Sequence, residues 1–72
     1  MEYNVKLTVS GDPKDCVRID TCSAEDAARL AVYDYSYCHD EYTVDKAYVV
    51  VEEHGAYHIE GNRINWYHVV KE

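Results

Sequence analysis

The stretch SAEDAARLA, residues 23–31, decides the fold because it holds a complete helix start. Ser23 is a residue type that caps helices, and Asp26 follows three residues later with negative charge that suits the helix dipole. Alanines recur at the 3.6-residue period and form one narrow stripe. We therefore expect a helix that packs close to a sheet and ends between Tyr35 and Asp40.

Two strands are predicted before this helix. In residues 1–9 (MEYNVKLTV) and 17–21 (VRIDT), apolar and polar side chains alternate with the period of a half-buried strand. The loop that separates the two runs contains Gly11 and Pro13, which favour a turn. The pattern predicts a hairpin with a wide turn.

Three more strands are predicted after the helix, beginning with the β-branched and aromatic run of residues 43–53. Two-residue turns are expected at residues 54–55 and 61–62, each of which contains a glycine. In the register that these turns set, Val50 faces Ile59. One face of the sheet then holds Tyr48, Val50, Tyr57, Ile59, Ile64 and Trp66.

The order of these elements predicts an α+β fold, ββαβββ. One helix would pack on a face of an antiparallel sheet of about five strands. The chain is short enough that all 72 residues are expected to form one domain.

The predicted register leaves apolar side chains on a second face that the helix does not cover. Because a chain of this size gains much from added burial, we expect a homodimer through this face. Partial exposure of small apolar residues in a monomer is the alternative. The candidate dimer-interface residues are Val49, Val51, Tyr67 and Val69.

The charge of the chain bears on its partners. There are 14 acidic and 7 basic side chains, which gives a formal net charge of −7 with histidine neutral. This sign disfavours direct binding to nucleic acid or to an anionic membrane, since both need lysine and arginine. A basic protein is the partner that fits this charge. No apolar run in the sequence approaches the ~20 residues that a membrane span needs, so we expect a cytoplasmic protein.

The residue types that carry chemistry are present but poorly arranged for it. Three cysteines cannot complete an internal disulfide set, their spacing matches no zinc signature, and Cys38 is expected to be a small core residue. The run Cys38-His39-Asp40 holds triad residue types, but consecutive side chains point in different directions. With only three glycines there is no phosphate cradle. We expect no catalytic residue, metal or cofactor, and no enzyme.

The segment YDYSYCHDEYTVD, residues 33–45, is the candidate binding surface. It holds four tyrosines and four acids and no lysine or arginine. Acids near a helix C-terminus are opposed by the dipole, and tyrosine is favoured in protein interfaces. A solvated acidic helix end with tyrosines leaning on the sheet is the alternative. The predicted partner-binding residues are Asp26, Tyr33, Asp34, Tyr37, Asp40, Glu41, Tyr42 and Asp45.

With the early hairpin, the helix begun by SAEDAARLA and the closing hairpin of residues 57–70, the layout resembles small inhibitors encoded by phages and mobile elements. It is similar to anti-CRISPR proteins in the order of its elements and to DNA-mimic proteins in its acidity. The resemblance implies a non-enzymatic inhibitor in the host cytoplasm that occupies the nucleic-acid site of a basic host protein. Acids would then replace phosphates, and tyrosines would supply contact area.

Other functions remain open at this point. The chain could be an anti-CRISPR or another regulatory protein that docks on a host complex, such as a CRISPR effector, by shape and apolar sheet contacts. It could also be an accessory domain whose acidity only keeps it in solution. A small enzyme is the last alternative.

Overall fold

The computed structural model describes residues 1–39, 43–62, 64 and 66–72, and for residues 43–46 it describes the backbone alone. The described elements are β1 (Glu2–Val9), β2 (Asp12–Pro13), β3 (Val17–Asp20), α1 (Ala24–Cys38), β4 (Thr43–Val51), β5 (Gly55–Asn62) and β6 (Trp66–Lys71). The predicted α+β layout is confirmed, with the short strand β2 added to it.

All six strands join one antiparallel sheet, in the order β2-β1-β4-β5-β6. Strand β3 also pairs with β1, and since β4 occupies one edge of β1, both β2 and β3 lie along the other edge. Strand β4 is therefore central. The open edges of the sheet are β2 and β3 on one side and β6 on the other.

The helix begins and ends as the sequence predicts. The Ser23 side chain accepts a hydrogen bond from the Asp26 backbone N–H at 3.1 Å, which satisfies a donor that the first turn leaves unpaired. Ala27, Ala28 and Ala31 are buried against the sheet. Small side chains at these positions let the helix lie close to the strands, so that one face of the sheet is covered.

The register of the last three strands differs from the predicted one. Val50 pairs with Ala56 and Ile59 pairs with Val69, because three residues lie between the paired ends Val51 and Gly55, and three between Asn62 and Trp66. The predicted partner of Val50 is Ile59, which is three residues from the observed partner Ala56. The pairing predicted from a turn at residues 61–62 is likewise displaced from the observed one by an odd number of residues. An odd shift moves every side chain of a strand to the opposite face, and it does so here for β4 and β6.

The predicted dimer-interface residues are wrong as an open face for the same reason. The structure places Val49, Val51 and Tyr67 in the core beneath the helix, with Val69 packed against them. Side chains buried there cannot bind a second copy or another complex. The face that the helix leaves open carries the alternating residues instead, among them Tyr48 and Val50.

Cys38 is exposed, as are the other two free cysteines, so its prediction as a core residue is wrong. Ile64 is also exposed, on the loop between β5 and β6. Nowhere in the described parts of the chain is there an apolar helix of the length that a bilayer requires.

Candidate protein-binding site

The face of α1 opposite the alanines presents an aromatic pair to solvent. Tyr33 and Tyr37 are four residues apart and therefore adjacent on the helix surface. Their rings are nearly parallel, at 18°, with centroids 6.4 Å apart. Tyr37 is 65% exposed. This confirms that the two tyrosines share a flank away from the alanine stripe.

A third ring joins this pair from the sheet. Trp66 is the first residue of β6, and its ring centroid lies 5.5 Å from that of Tyr33. Trp66 is 46% exposed to solvent. We call Tyr33, Tyr37 and Trp66 the aromatic patch. Singly exposed apolar residues are ordinary, but adjoining exposed rings are typical of interaction sites.

A buried hydrogen-bond chain fixes the two elements that carry the patch. Ser36 donates to the Tyr33 carbonyl oxygen at 2.8 Å, and its own oxygen is left to accept from the Tyr67 hydroxyl. Ser36 is fully buried in the core. The link joins α1 directly to β6, and Tyr67 in turn contacts the Trp66 ring at 5.7 Å. Trp66 is therefore held in a defined position beside the helix.

The backbone of Trp66 is strained. Its φ is +72°, in the left-handed region that bulky residues rarely adopt. Gly61, which pairs with Tyr67 across the hairpin, has a φ of +131°, and a Cβ at this position would lie 2.8 Å from the Trp66 carbonyl oxygen. Strained residues of this kind persist where the surrounding structure holds them, and they concentrate at binding sites.

Of the two predicted acids whose side chains the structure describes, Asp26 and Asp34, only Asp26 lies on the same helix flank as the tyrosines. Asp26 is there, but its carboxylate forms an ion pair with Arg29 at 2.7 Å, and Glu25 lies 3.4 Å from the same guanidinium. Part of the negative charge of Asp26 is thus neutralised. Asp26 lies one helix turn before Leu30, and its side chain is still 45% exposed.

Asp34 is the other predicted partner-binding acid whose side chain is described, and it lies on a different side of the helix from the tyrosines. It lines a groove of about 240 Å³ between α1 and the segment that joins β2 to β3. Lys14 enters the same groove and lies 5.4 Å from the ring centroid of Tyr35. A hydrogen bond from the Lys14 ammonium to Asp12, 2.8 Å long, raises the pKa of Lys14 above its usual value. The groove is therefore mixed in charge, and Asp34 does not join the aromatic patch.

The other predicted partner-binding residues cannot be placed. Asp40, Glu41 and Tyr42 lie outside the described residues. Asp45 belongs to β4, of which only the backbone is described at this point.

Sequence reasoning missed Trp66 as a site residue. The two-residue turns put it on the sheet face with Tyr57 and Ile59, although the structure brings it to the helix flank. An isolated tryptophan next to a turn rich in asparagine was the available signal, since Trp is enriched at binding hot spots.

The described residues contain no group of three or more histidine, cysteine or acidic side chains arranged to hold a metal ion. Comparison with protein families, with characterised proteins and with solved structures finds no match to this chain. The function must therefore be argued from the residues themselves.

Proposed function

We propose that this protein is a non-enzymatic binding protein that docks onto a basic protein surface through its aromatic patch. The observation that carries the proposal is the contact of three partly exposed aromatic rings, Tyr33, Tyr37 and Trp66, from two different elements. Tyr and Trp give large contact area at low entropic cost, and they dominate the energetics of many interfaces.

The charge of the chain supports the choice of partner. A net charge of −7 favours encounter with a positive surface and speeds association at low salt. The last turn of α1, next to Tyr37, carries no basic residue. At the other end of the helix Asp26 lies on the same flank, with its charge partly offset by Arg29.

A basic surface that accepts acids and flat rings is also the kind of surface that binds nucleic acid. Phosphates contact lysine and arginine, and bases stack on side chains, so the two ligands would compete. The proposal therefore extends to an inhibitor of a host nucleic-acid-binding protein, acting in the host cytoplasm, of the type that phages and mobile elements encode. The acidity of the chain is consistent with that role.

Capture from bacterial lysate on the immobilised full chain tests the proposal, with two variants run beside it. Trp66→Asn combined with Tyr37→Ala removes the exposed rings, and Val17→Thr changes an apolar residue that is 40% exposed at the opposite edge of the sheet. We expect basic proteins to be retained by the wild type and by Val17→Thr but not by the double variant. Duplex DNA added to the wash should release them.

Two results would count against the proposal. Retention that is equal on the wild type and the double variant would remove the aromatic patch as the site. Retention that depends on the patch but resists both DNA and high salt would support docking by shape on a host complex, without competition for a nucleic-acid site.

A further inference from the structure

The face of the sheet opposite the helix is a second surface, separate from the aromatic patch. Two rows of side chains cross its four long strands. Strand pairing aligns Lys6, Val50 and Ala56, and the backbone bond from Glu72 N–H to the Ala56 carbonyl oxygen, 2.9 Å long, adds Glu72 to this row. The second row is Thr8, Tyr48, His58 and Val70. We call these eight residues the outer face.

Apolar side chains occupy the centre of the outer face, on β4 and β5, and its edge at β6, where Val70 lies. Val50 is 37% exposed and Val70 is 49% exposed, while Tyr48 and Ala56 are half-buried. Val50 and Val70 each line a shallow depression, one between β1 and β4 and the other between β5 and β6. The surface is therefore both apolar at its centre and uneven in shape.

Opposite charges stand at the two ends of the first row. Lys6 takes part in none of the ion pairs formed among the described residues. Glu72 accepts a hydrogen bond from His58 at 2.9 Å, and this bond, with a smaller effect of the neighbouring Tyr48 hydroxyl, lowers the pKa of the Glu72 carboxyl group. Three strand spacings, ~14 Å in all, separate the cation from this acid within one protomer.

We propose that the outer face is the interface of a homodimer in which two sheets pack face to face. A two-fold axis that runs along the strands, between β4 and β5, brings β1 of one protomer over β6 of its partner. Lys6 then faces Glu72 of the second copy, and Val50 faces Ala56. The other row places Thr8 over Val70 and Tyr48 over His58. The pairing is reciprocal, as a two-fold interface requires, and it sets opposite charges together at both ends of the first row and apolar side chains together at its middle.

A second copy is the occupant that this pattern selects. Lys6, which forms no ion pair among the described residues, and Glu72 lie at equal distances on either side of the axis, so this row is complementary in charge to the same row of a second copy. Two further acids, Glu52 and Glu60, line the depressions and lie outside both rows. Sheets packed in this way lie ~10 Å apart, within reach of lysine and glutamate side chains. Since the outer face is small for a stable interface, the dimer should dissociate on dilution.

Sedimentation of the full chain over a range of concentrations tests this interface. We expect a reversible monomer–dimer equilibrium that Lys6→Glu or Glu72→Lys each weaken by about tenfold, because two pairs are lost per dimer. The double variant Lys6→Glu with Glu72→Lys should recover the wild-type equilibrium. Lys71→Glu is the matched control, since it makes the same charge change on the helix side of the sheet and should leave the dimer intact.

A monomer at every concentration would overturn the proposal. So would a dimer that neither charge variant weakens, a double variant that fails to recover it, or a dimer that Trp66→Asn with Tyr37→Ala abolishes. Backbone amide chemical shifts of the wild-type chain, followed by NMR on dilution, provide a second measurement that does not depend on the folding of any variant. Shifts confined to the outer face support the dimer, and shifts confined to α1 contradict it. The proposed function stands or falls separately, because it uses the opposite side of the molecule.

Discussion

Trp66 packs against Tyr33 across the gap between strand and helix, with 5.5 Å between ring centroids, and it does so from a left-handed backbone conformation. That conformation costs a non-glycine residue roughly 1–2 kcal/mol. Glycine or asparagine would adopt it more readily. A tryptophan held there, with nearly half of its surface exposed, supports the proposal that Trp66 contacts a partner.

Replacing Trp66 should therefore separate stability from binding. We expect Trp66→Asn to be less destabilising than Trp66→Ala by about 0.5–1 kcal/mol, because asparagine tolerates positive φ and alanine does not. Both variants should lose partner binding to a similar degree. Urea denaturation measures the first effect. If the alanine variant proved as stable as the asparagine variant, backbone strain at this position would be excluded.

Gly61 should tolerate no side chain. A Cβ there would meet the Trp66 carbonyl oxygen at 2.8 Å, in addition to the strain of a φ of +131°. We expect Gly61→Ala to lower the free energy of unfolding by about 2 kcal/mol or more. Gly11→Ala is the matched control, since Gly11 also has a positive φ, +80°, but its Cβ would meet nothing within 4 Å. Equal losses in the two variants would show that the close approach at Gly61 costs nothing.

The hydrogen bond between Ser36 and Tyr67 should stabilise the junction of α1 and β6. Ser36→Ala leaves the buried Tyr67 hydroxyl without this partner, which costs about 1–3 kcal/mol. Tyr67→Phe added to Ser36→Ala should cost little more, because it removes the group that was left unpaired. A double-mutant cycle by denaturation measures this coupling, and additive losses would contradict it.

The helix could be predicted from the sequence because its signals are local. Ser23 caps the first turn, and the alanine stripe sets the buried side, so α1 and its flank with Tyr33 and Tyr37 follow directly. The turns could not be predicted in the same way. Glu53 and Trp66 adopt the left-handed conformation that usually marks glycine or asparagine, so the glycines nearby pointed to the wrong turn positions.

Because the helix signals are local and the turn lengths are not, the surface of α1 could be predicted from the sequence and the faces of β4 and β6 could not. The parity of β4 and β6 depends on turn length, so a wrong length exchanged the core residue Val49 with the exposed Val50 and moved Trp66 away from the helix. The predicted acids fared differently, because their positions depend on which side of α1 each occupies. Asp26 and Asp34 lie on different sides, and the sequence alone gave no means to weigh the pairing of Asp26 with Arg29.

Protonation of Glu72 should be shifted by its two neighbours on the outer face. Its pKa lies below the usual 4.5 because His58 hydrogen-bonds the carboxylate and, as the smaller cause, so does the Tyr48 hydroxyl. A pKa lowered by folding means that the contact stabilises the fold above the unfolded value, and that this stabilisation is lost as the pH falls through the lowered one. His58→Ala should therefore raise the pKa of Glu72 towards 4.5, and Tyr48→Phe should raise it by less. The neighbouring Glu72 carboxylate in turn raises the pKa of Tyr48 above its usual 10.0, so Glu72→Gln should lower the pKa of Tyr48. Carboxyl and ring carbon shifts followed by NMR titration measure both groups, and a larger effect of Tyr48→Phe than of His58→Ala would contradict this account of the cluster.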